Sequence, residues 1–331
     1  MPDPPPSPSG GHSPLPKGIW APTQVFFHPT APFDVDLPTT AQHAVRLARA
    51  GVVGIVTNGS NGEAAHLSPL ERSSVTRATR TALDEAGFCH VPVMSGASDQ
   101  SVRGTLKLIE DAKEAGAVAV LVLSPSFFRW AVADPSVVEG FFLAVADQSV
   151  LPLVVYNYPG AVAGVDLNSD LLGRLSQHKN VVGVKFTCGN VGKLARVAAL
   201  SVTKGKGGEF RCYSGVADAI TPSLAVGGHG GIVGAANVFP RACVEVYRLF
   251  DQGRWEDARA AQQRLAEADW ALTKRAIPGF KSVLQKYHGY GGIPRLPVLP
   301  LSGEEEEKLF GEVEEMMAAE ARLEDVGRVS H

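Results

Sequence analysis

The sequence predicts an α/β protein, a (β/α)8 TIM barrel with a C-terminal helical domain, and three observations carry that prediction. From Lys17 onward, short apolar β-rich runs alternate with amphipathic helical segments. The runs are apolar along their length, the pattern of strands buried on both faces of a parallel sheet. Eight such strand–helix units fit into about 235 residues, the spacing of a closed barrel. An open doubly wound sheet is the other arrangement of such units, but no Gly-x-Gly-x-x-Gly opens a helix after an early strand.

In chain order, the first apolar run spans residues 18–27. A Pro/Asp-rich loop follows, then a helix from about Thr39 to Ala50, capped by Gly51. The second run, Val52 to Thr57, ends in Asn58-Gly-Ser-Asn-Gly-Glu63. Ser68-Pro-Leu-Glu71 then sets serine at the N-cap, proline at the first helical position and glutamate at the third, a capping box that starts a helix to about Ala86. Later strands are expected at 91–95, 117–123, 151–156, 181–185, 210–214 and 231–235. Helices are expected near 99–115, 134–147, 167–177, 190–202, 216–226 and 240–252. Beyond Asp251 the alternation stops. Helices are expected at 254–276 and 278–287, then a turn at 289–294, and a final acidic helix from Ser302, where Ser-x-x-Glu305 again has capping-box spacing. The glutamates at 304–307 fit a solvated helix start. The expected division is a disordered tail over 1–16, a barrel carrying the active site over 17–252, and a helical domain over 253–325.

Composition excludes several function classes. In 331 residues, 31 basic and 34 acidic side chains nearly cancel, and the basic ones form no stripe, so nucleic acid and anionic membrane are not expected partners. Hydrophobic residues make up 45%, ample for a sizeable core. Cys89, Cys188, Cys212 and Cys243 lie far apart without ligand spacing, which points away from zinc and disulfides and toward a reducing compartment. The first fourteen residues are rich in Pro, Ser and Gly and carry no arginine and no basic-then-apolar leader. No apolar run is long enough to cross a bilayer. A soluble, cytoplasmic protein is expected.

Barrel chemistry sits at the carboxyl ends of strands. Here the second strand ends in the Gly59-Ser-Asn-Gly-Glu63 turn, the fifth in Tyr156-Asn-Tyr-Pro-Gly160 and the sixth in Lys185. An ammonium is costly to bury at the end of an apolar strand. Either Lys185 reaches solvent or a carboxylate, or it is held as a neutral amine that attacks a ketone to give a Schiff base. Consecutive strands lie about 5 Å apart, so Tyr156 and Lys185 meet at one mouth, and a phenol beside such an amine can carry its protons. A strand tyrosine is also an ordinary core aromatic. Ser60, Asn61 and the backbone N–H groups up to Gly62 form a concavity suited to a carboxylate, although a Gly/Asn cluster is also an ordinary tight turn. Gly227-Gly-His-Gly-Gly231 lacks the lysine of a phosphate loop and more plainly admits close backbone approach near the mouth.

Gly59-Ser-Asn-Gly-Glu63, Tyr156-Asn-x-Pro, Gly183-Val-Lys185 and the Gly-Gly-His-Gly near 227, in this order, resemble the dihydrodipicolinate synthase / N-acetylneuraminate lyase family of class I aldolases. Within it the sequence looks most similar to 4-hydroxy-2-oxoglutarate aldolases and fungal 2-keto-3-deoxy-L-galactonate aldolases. That finer likeness rests on Gly-Val-Lys-x-Thr-Cys-Gly-Asn and the Gly279-Phe-Lys … Tyr290-Gly-Gly segment. The resemblance implies Lys185 as the Schiff-base lysine for pyruvate or another 2-keto acid and Tyr156 as its proton shuttle. It implies Ser60, Asn61 and Gly62 at the keto-acid carboxylate, with Gly215 and Ile232 lining that pocket. The partners would be a small 2-keto acid and an aldehyde, the assembly a homotetramer built as a dimer of dimers, with no metal or organic cofactor.

Two departures from the family pattern bear on mechanism. Where the family carries a Pro-x-Tyr-Tyr segment that sends a tyrosine into a neighbouring subunit's site, this chain has Pro125-Ser-Phe-Phe-Arg129. Phe127 and Phe128 cannot relay a proton, so that half of the relay is lost, with Ser60 and a water as one substitute. After Tyr156 the loop Gly160-Ala-Val-Ala-Gly164 is longer and lacks the arginine that binds a second carboxylate in the synthase. An uncharged aldehyde and aldol cleavage to pyruvate are the expectation. A synthase or dehydratase using the same imine, or a keto-acid binder without turnover, are the alternatives.

Overall fold

A computed structural model describes residues 15–203 and 210–328; residues 1–14 of the tail expected over 1–16 lie outside the described residues. Eight parallel strands, β1 (Gly18–Pro22), β2 (Gly54–Thr57), β3 (Val93–Gly96), β4 (Ala119–Leu123), β5 (Leu153–Asn157), β6 (Val181–Phe186), β7 (Arg211–Ser214) and β8 (Gly230–Ile232), close in sequential order into a barrel. Around it run α1 (Leu37–Ala50), α2 (Pro69–Glu85), α3 (Val102–Glu114), α4 (Arg129–Val132), α5 (Pro135–Gln148), α6 (Ser169–Leu175), α7 (Val191–Thr203), α8 (Ile220–Ala225) and α9 (Pro240–Asp251). Three further helices follow: α10 (Trp255–Thr273), α11 (Ala276–His288) and α12 (Gly303–Arg322).

Local chemistry explains the helix starts. Ser68 Oγ accepts from Glu71 N at 3.3 Å while the Glu71 carboxylate accepts from Ser68 N at 2.8 Å, and Pro69 occupies the first turn. Such a cap stabilises a helix by about 1 kcal/mol. At α12 only half the expected box forms: Ser302 Oγ accepts from Glu305 N, but the Glu305 carboxylate turns to Arg275. The acidic start of α12 is thus partly engaged, with Glu306 also accepting from Ser282 Oγ at 2.8 Å. Other departures are local. β1 ends at Pro22 instead of continuing to Phe27, because Gln24 N leaves the ladder for Asn237 Oδ1. β8 stops at Ile232, where a short 3₁₀ turn over Gly234–Asn237 begins.

Leu15 and Pro16, assigned by sequence to the tail, close the bottom of the barrel. Leu15 is buried, and the Pro16 carbonyl accepts from Trp20 Nε1 at 3.1 Å and Tyr213 Oη at 2.8 Å. Two apolar masses surround the strands. One includes side chains of α1, α9, α10, α11 and α12 together with β1 and β2, so the C-terminal helices share a core with the barrel. Helix α12 also sends the Glu320 carboxylate to the N-terminus of α9, where it accepts from Arg241 N at 3.0 Å and Ala242 N at 2.8 Å.

One irregularity matters for the site. Leu153 pairs with Val181, but Val154 pairs with Gly183, so Val182 is an extra residue in β6. Val184 and Phe186 pack outward against the helices. Lys185 therefore projects inward beside Tyr156, a member of the barrel-interior cluster.

Candidate active site

Lys185 stands at the C-terminal end of β6 and is only 2% exposed. Its ladder partners are Tyr156 on β5 and Tyr213 on β7. Lys185 Nζ lies 4.2 Å from the centroid of the Tyr156 ring, and Tyr156 is itself buried. The expected meeting of amine and phenol is thus present. No carboxylate among the described residues lies within ion-pair distance of this amine, so neither solvent nor a counter-ion takes it up.

Tyr158 adds a second phenol that sequence reasoning passed over as the free position of the Asn-x-Pro motif. Residues two apart on a strand share a face, and Tyr158 stacks on Tyr156 with ring centroids 5.7 Å apart and 25° between planes. Half-burial and then the neighbouring Tyr156 raise its pKa above the ordinary phenol value. Between the two, Asn157 turns outward, accepting from Leu167 N and donating to Asp166.

The Gly59–Glu63 turn follows β2, which stands diametrically opposite β6 in the eight-strand ring. The turn therefore stands across the barrel mouth from Lys185. Ser60 and Asn61 are half-buried, whereas Gly62 and Glu63 are buried. Two non-glycine residues in the left-handed region flank the turn, Asn58 at φ 54° and Glu63 at φ 51°. Asn58 Nδ2 donates to Arg72 O, Thr76 Oγ1 and Ser95 Oγ, each at 3.0 Å. Gly96 at the end of β3 lets this backbone approach, since a Cβ there would meet Asn58 O at 1.9 Å. Asn61 Oδ1 accepts from Gln24 Nε2 at 3.3 Å, and Gln24 N donates to Asn237 Oδ1, which also meets His43 Nε2 at 2.9 Å. Burial, followed by Arg46, holds His43 well below the usual histidine pKa. That supporting chain was not foreseen; its members are single polar residues far apart in sequence.

Gly215 follows β7 and donates its N–H to Phe186 O at 2.8 Å, next to Lys185. Ile232 ends β8 and lies in the barrel-interior cluster with Tyr156. Behind Gly215, Asp269 of α10 accepts from Ala217 N and Asp218 N, and burial, followed by Asp218, pushes its carboxyl up to about 6. The glycine cluster at 227–231 lies at the start of β8, the end of the barrel away from Lys185. Gly18 N donates to His229 O there, so its glycines serve the ladder and not the mouth.

Phe127 and Phe128 lie in the β4–α4 connection, which Gln100 Oε1 tethers by accepting from Ser126 N and Phe127 N. They form an exposed aromatic row with Trp130, Phe127 being 78% and Trp130 81% exposed. The 160–164 loop is uncharged as read, but Asp166 just beyond it pairs with the buried Lys193 of α7. A cavity of about 220 Å³ separates that loop from α4 and α5, with Arg129 on its far wall.

Comparison with known proteins gives this geometry a context. Residues 16–316 match the dihydrodipicolinate synthetase family. The L-threo-3-deoxy-hexylosonate aldolase of Aspergillus niger is 47% identical over 332 residues, covering 95% of this chain and 99% of its own length. A protein named probable 4-hydroxy-2-oxoglutarate aldolase, mitochondrial, from Emericella nidulans is 44% identical, covering 94% of this chain and 98% of its own. Among solved structures, a prophage protein of the dihydrodipicolinic acid synthase family from E. coli K12, determined with pyruvate, superposes with a TM-score of 0.81. It is 26% identical and covers 91% of this chain and 98% of its own. Closed eight-strand barrel, inward lysine beside a strand-five tyrosine, and a family match over nearly the whole chain agree: the protein belongs to the dihydrodipicolinate synthetase family.

Proposed function

We propose that the protein is a Schiff-base-forming class I aldolase that cleaves or condenses a 2-keto-3-deoxy sugar acid or related hydroxy-2-keto acid, with pyruvate as the keto-acid product. The observation that carries this reading is the buried Lys185 amine lying over the Tyr156 ring at 4.2 Å with no carboxylate partner among the described residues. The names of the Aspergillus and Emericella relatives, and the pyruvate in the E. coli structure, support it.

In this reading the substrate carboxylate lies on Ser60, Asn61 and the backbone N–H of Gly62, with Gly215 and Ile232 beside the keto group. Lys185 Nζ attacks the keto carbon, and the carbinolamine loses its hydroxyl as water to give an iminium. Tyr156 returns the proton needed for that departure and then takes the proton of the C4 hydroxyl. The C3–C4 bond breaks, its electron pair moves into an enamine, and the aldehyde leaves. Protonation at C3 and addition of water release pyruvate and restore the amine. With Phe127 and Phe128 unable to move protons, Tyr158 is the second phenol stationed at the mouth. The uncharged 160–164 loop favours an uncharged aldehyde such as a glyceraldehyde.

The homotetramer belongs to the same proposal. The exposed Phe127, Phe128 and Trp130 row is the surface whose burial by a second copy would support it, and mass photometry tests it. A cytosolic site is also proposed, supported by four free cysteines; because one relative is named mitochondrial, cell fractionation is the test. Borohydride reduction in the presence of pyruvate tests the chemistry directly. A pyruvate-derived adduct on Lys185 is expected, and its absence removes the imine. Faster retro-aldol cleavage of 4-hydroxy-2-oxoglutarate than of a 3-deoxy-2-keto hexonate would remove the uncharged-aldehyde preference. An adduct without turnover of any aldol would leave the keto-acid binder, the reading that Phe127 and Phe128 favour.

A further inference from the structure

The Gly279-Phe-Lys … Tyr290-Gly-Gly segment has no part in the chemistry above, yet its lysine is the least exposed lysine among the described residues. Lys281 of α11 and Glu63 of the β2 turn both have fully buried side chains, and Lys281 Nζ stands 2.5 Å from Glu63 Oε1. The same ammonium donates to Ile293 O at 3.1 Å and lies over the Phe27 ring at 4.4 Å. The other carboxylate oxygen of Glu63 accepts from Arg295 N at 2.9 Å and meets His66 Nδ1 at 3.0 Å. Gly291 presses on this arrangement from behind: a Cβ there would meet Lys281 O at 2.1 Å.

We propose that Lys281 is a positioning residue for the keto-acid carboxylate, acting through Glu63 to hold the Ser60–Gly62 turn; the proposal rests on the function assigned above. The two flanks of the turn are secured by different parts of the chain. Asn58 is held by α2 and β3, inside the barrel. Glu63, a non-glycine residue in the costly left-handed region, is held chiefly from the C-terminal segment, by Lys281 and Arg295. A third link runs from Asn61 through Gln24, Asn237 and His43 to Tyr290 Oη, 2.9 Å from His43 Nδ1. Residues 281–295 therefore reach the turn at two points. A buried ion pair contributes little net stability compared with an apolar pair of the same volume, but it fixes direction, which is what a carboxylate-binding turn needs.

The test uses the full chain as wild type, E63Q/K281M and E63Q. Pyruvate is titrated in borohydride trapping, with the adduct read by intact mass, alongside steady-state retro-aldol kinetics. For E63Q/K281M we expect the half-saturating pyruvate concentration and KM to rise about tenfold, with the adduct yield at saturation retained. A purely structural role predicts the reverse, a fall in yield and kcat with unchanged half-saturation, and that result overturns the proposal. If the double variant is insoluble, the isosteric E63Q decides the matter: a rise of about threefold supports positioning and an unchanged half-saturation overturns it. If wild type forms no adduct, the aldolase reading fails separately. Calorimetric pyruvate binding then judges Lys281, with weaker binding by the variant supporting the proposal and equal or no binding by both proteins overturning it.

Discussion

Two buried lysines, Lys185 and Lys281, share a setting and differ in one respect. Each lies over an aromatic ring, Tyr156 at 4.2 Å and Phe27 at 4.4 Å, and each is almost wholly removed from solvent. Lys281 has a carboxylate at 2.5 Å and a carbonyl at 3.1 Å. Lys185 has no carboxylate within ion-pair distance among the described residues. The third buried lysine among the described residues, Lys193, follows Lys281 in having a carboxylate, Asp166. Burial alone therefore does not identify a reactive amine. What sets Lys185 apart is that no carboxylate pairs with its amine, which leaves the nitrogen unencumbered toward a carbonyl carbon.

Exchanging the two lysines for methionine should separate these roles, and the largest effect belongs to Lys185. K185M is expected to lose about 10⁴-fold or more in retro-aldol rate and all borohydride adduct, while its melting temperature holds or rises because an unpaired buried amine has gone. K281M should do the opposite to stability, losing about 3 kcal/mol in denaturant unfolding, since Glu63 is left buried without its partner. Burial holds Lys281 down to about 8, against the opposing pull of Glu63. The unfolded chain therefore binds the proton more tightly between about pH 8 and 10.5, and wild-type stability should rise relative to K281M across that window. Chemical denaturation at pH 7.5 and 10 checks the sign; a fall would contradict it.

The phenols extend the contrast at smaller scale. Y156F should slow turnover about 100-fold and delay adduct formation while leaving the fold intact, as measured by single-turnover mixing. Y158F is expected to cost about tenfold in turnover, with pyruvate half-saturation little changed. Equal rates for Y158F and wild type would show that Tyr156 handles the protons alone.

Much of this was legible in the chain. The eight apolar runs gave the barrel, because strands buried on both faces cannot alternate in polarity, and the Ser68–Glu71 cap formed as read. The meeting of Lys185 and Tyr156 was legible because a charge and a phenol at the ends of consecutive strands have few places to go. Tyr158 was visible in principle through the two-residue period of a strand, but a motif position of variable identity hid it. The Glu63–Lys281 pair could not be read from spacing, because 218 positions and most of the barrel intervene between its members. The glycine cluster at 227–231 was assigned to the wrong end of β8, since a run of glycines does not declare which end of a strand it serves.

The extra residue at Val182 carries a consequence for how this sequence can change. Val181 packs outward and Lys185 inward although four positions separate them, so the bulge absorbs one step of the two-residue period and the register after it sets the direction of the amine. Deleting Val182 would close the bulge with Val181 still opposite Leu153 and Gly183 opposite Val154, leaving the amine inward, whereas deleting Val184 would turn it out among the helices. In a mutational library of this strand, single-codon deletion of Val184 should be far less tolerated than deletion of Val182.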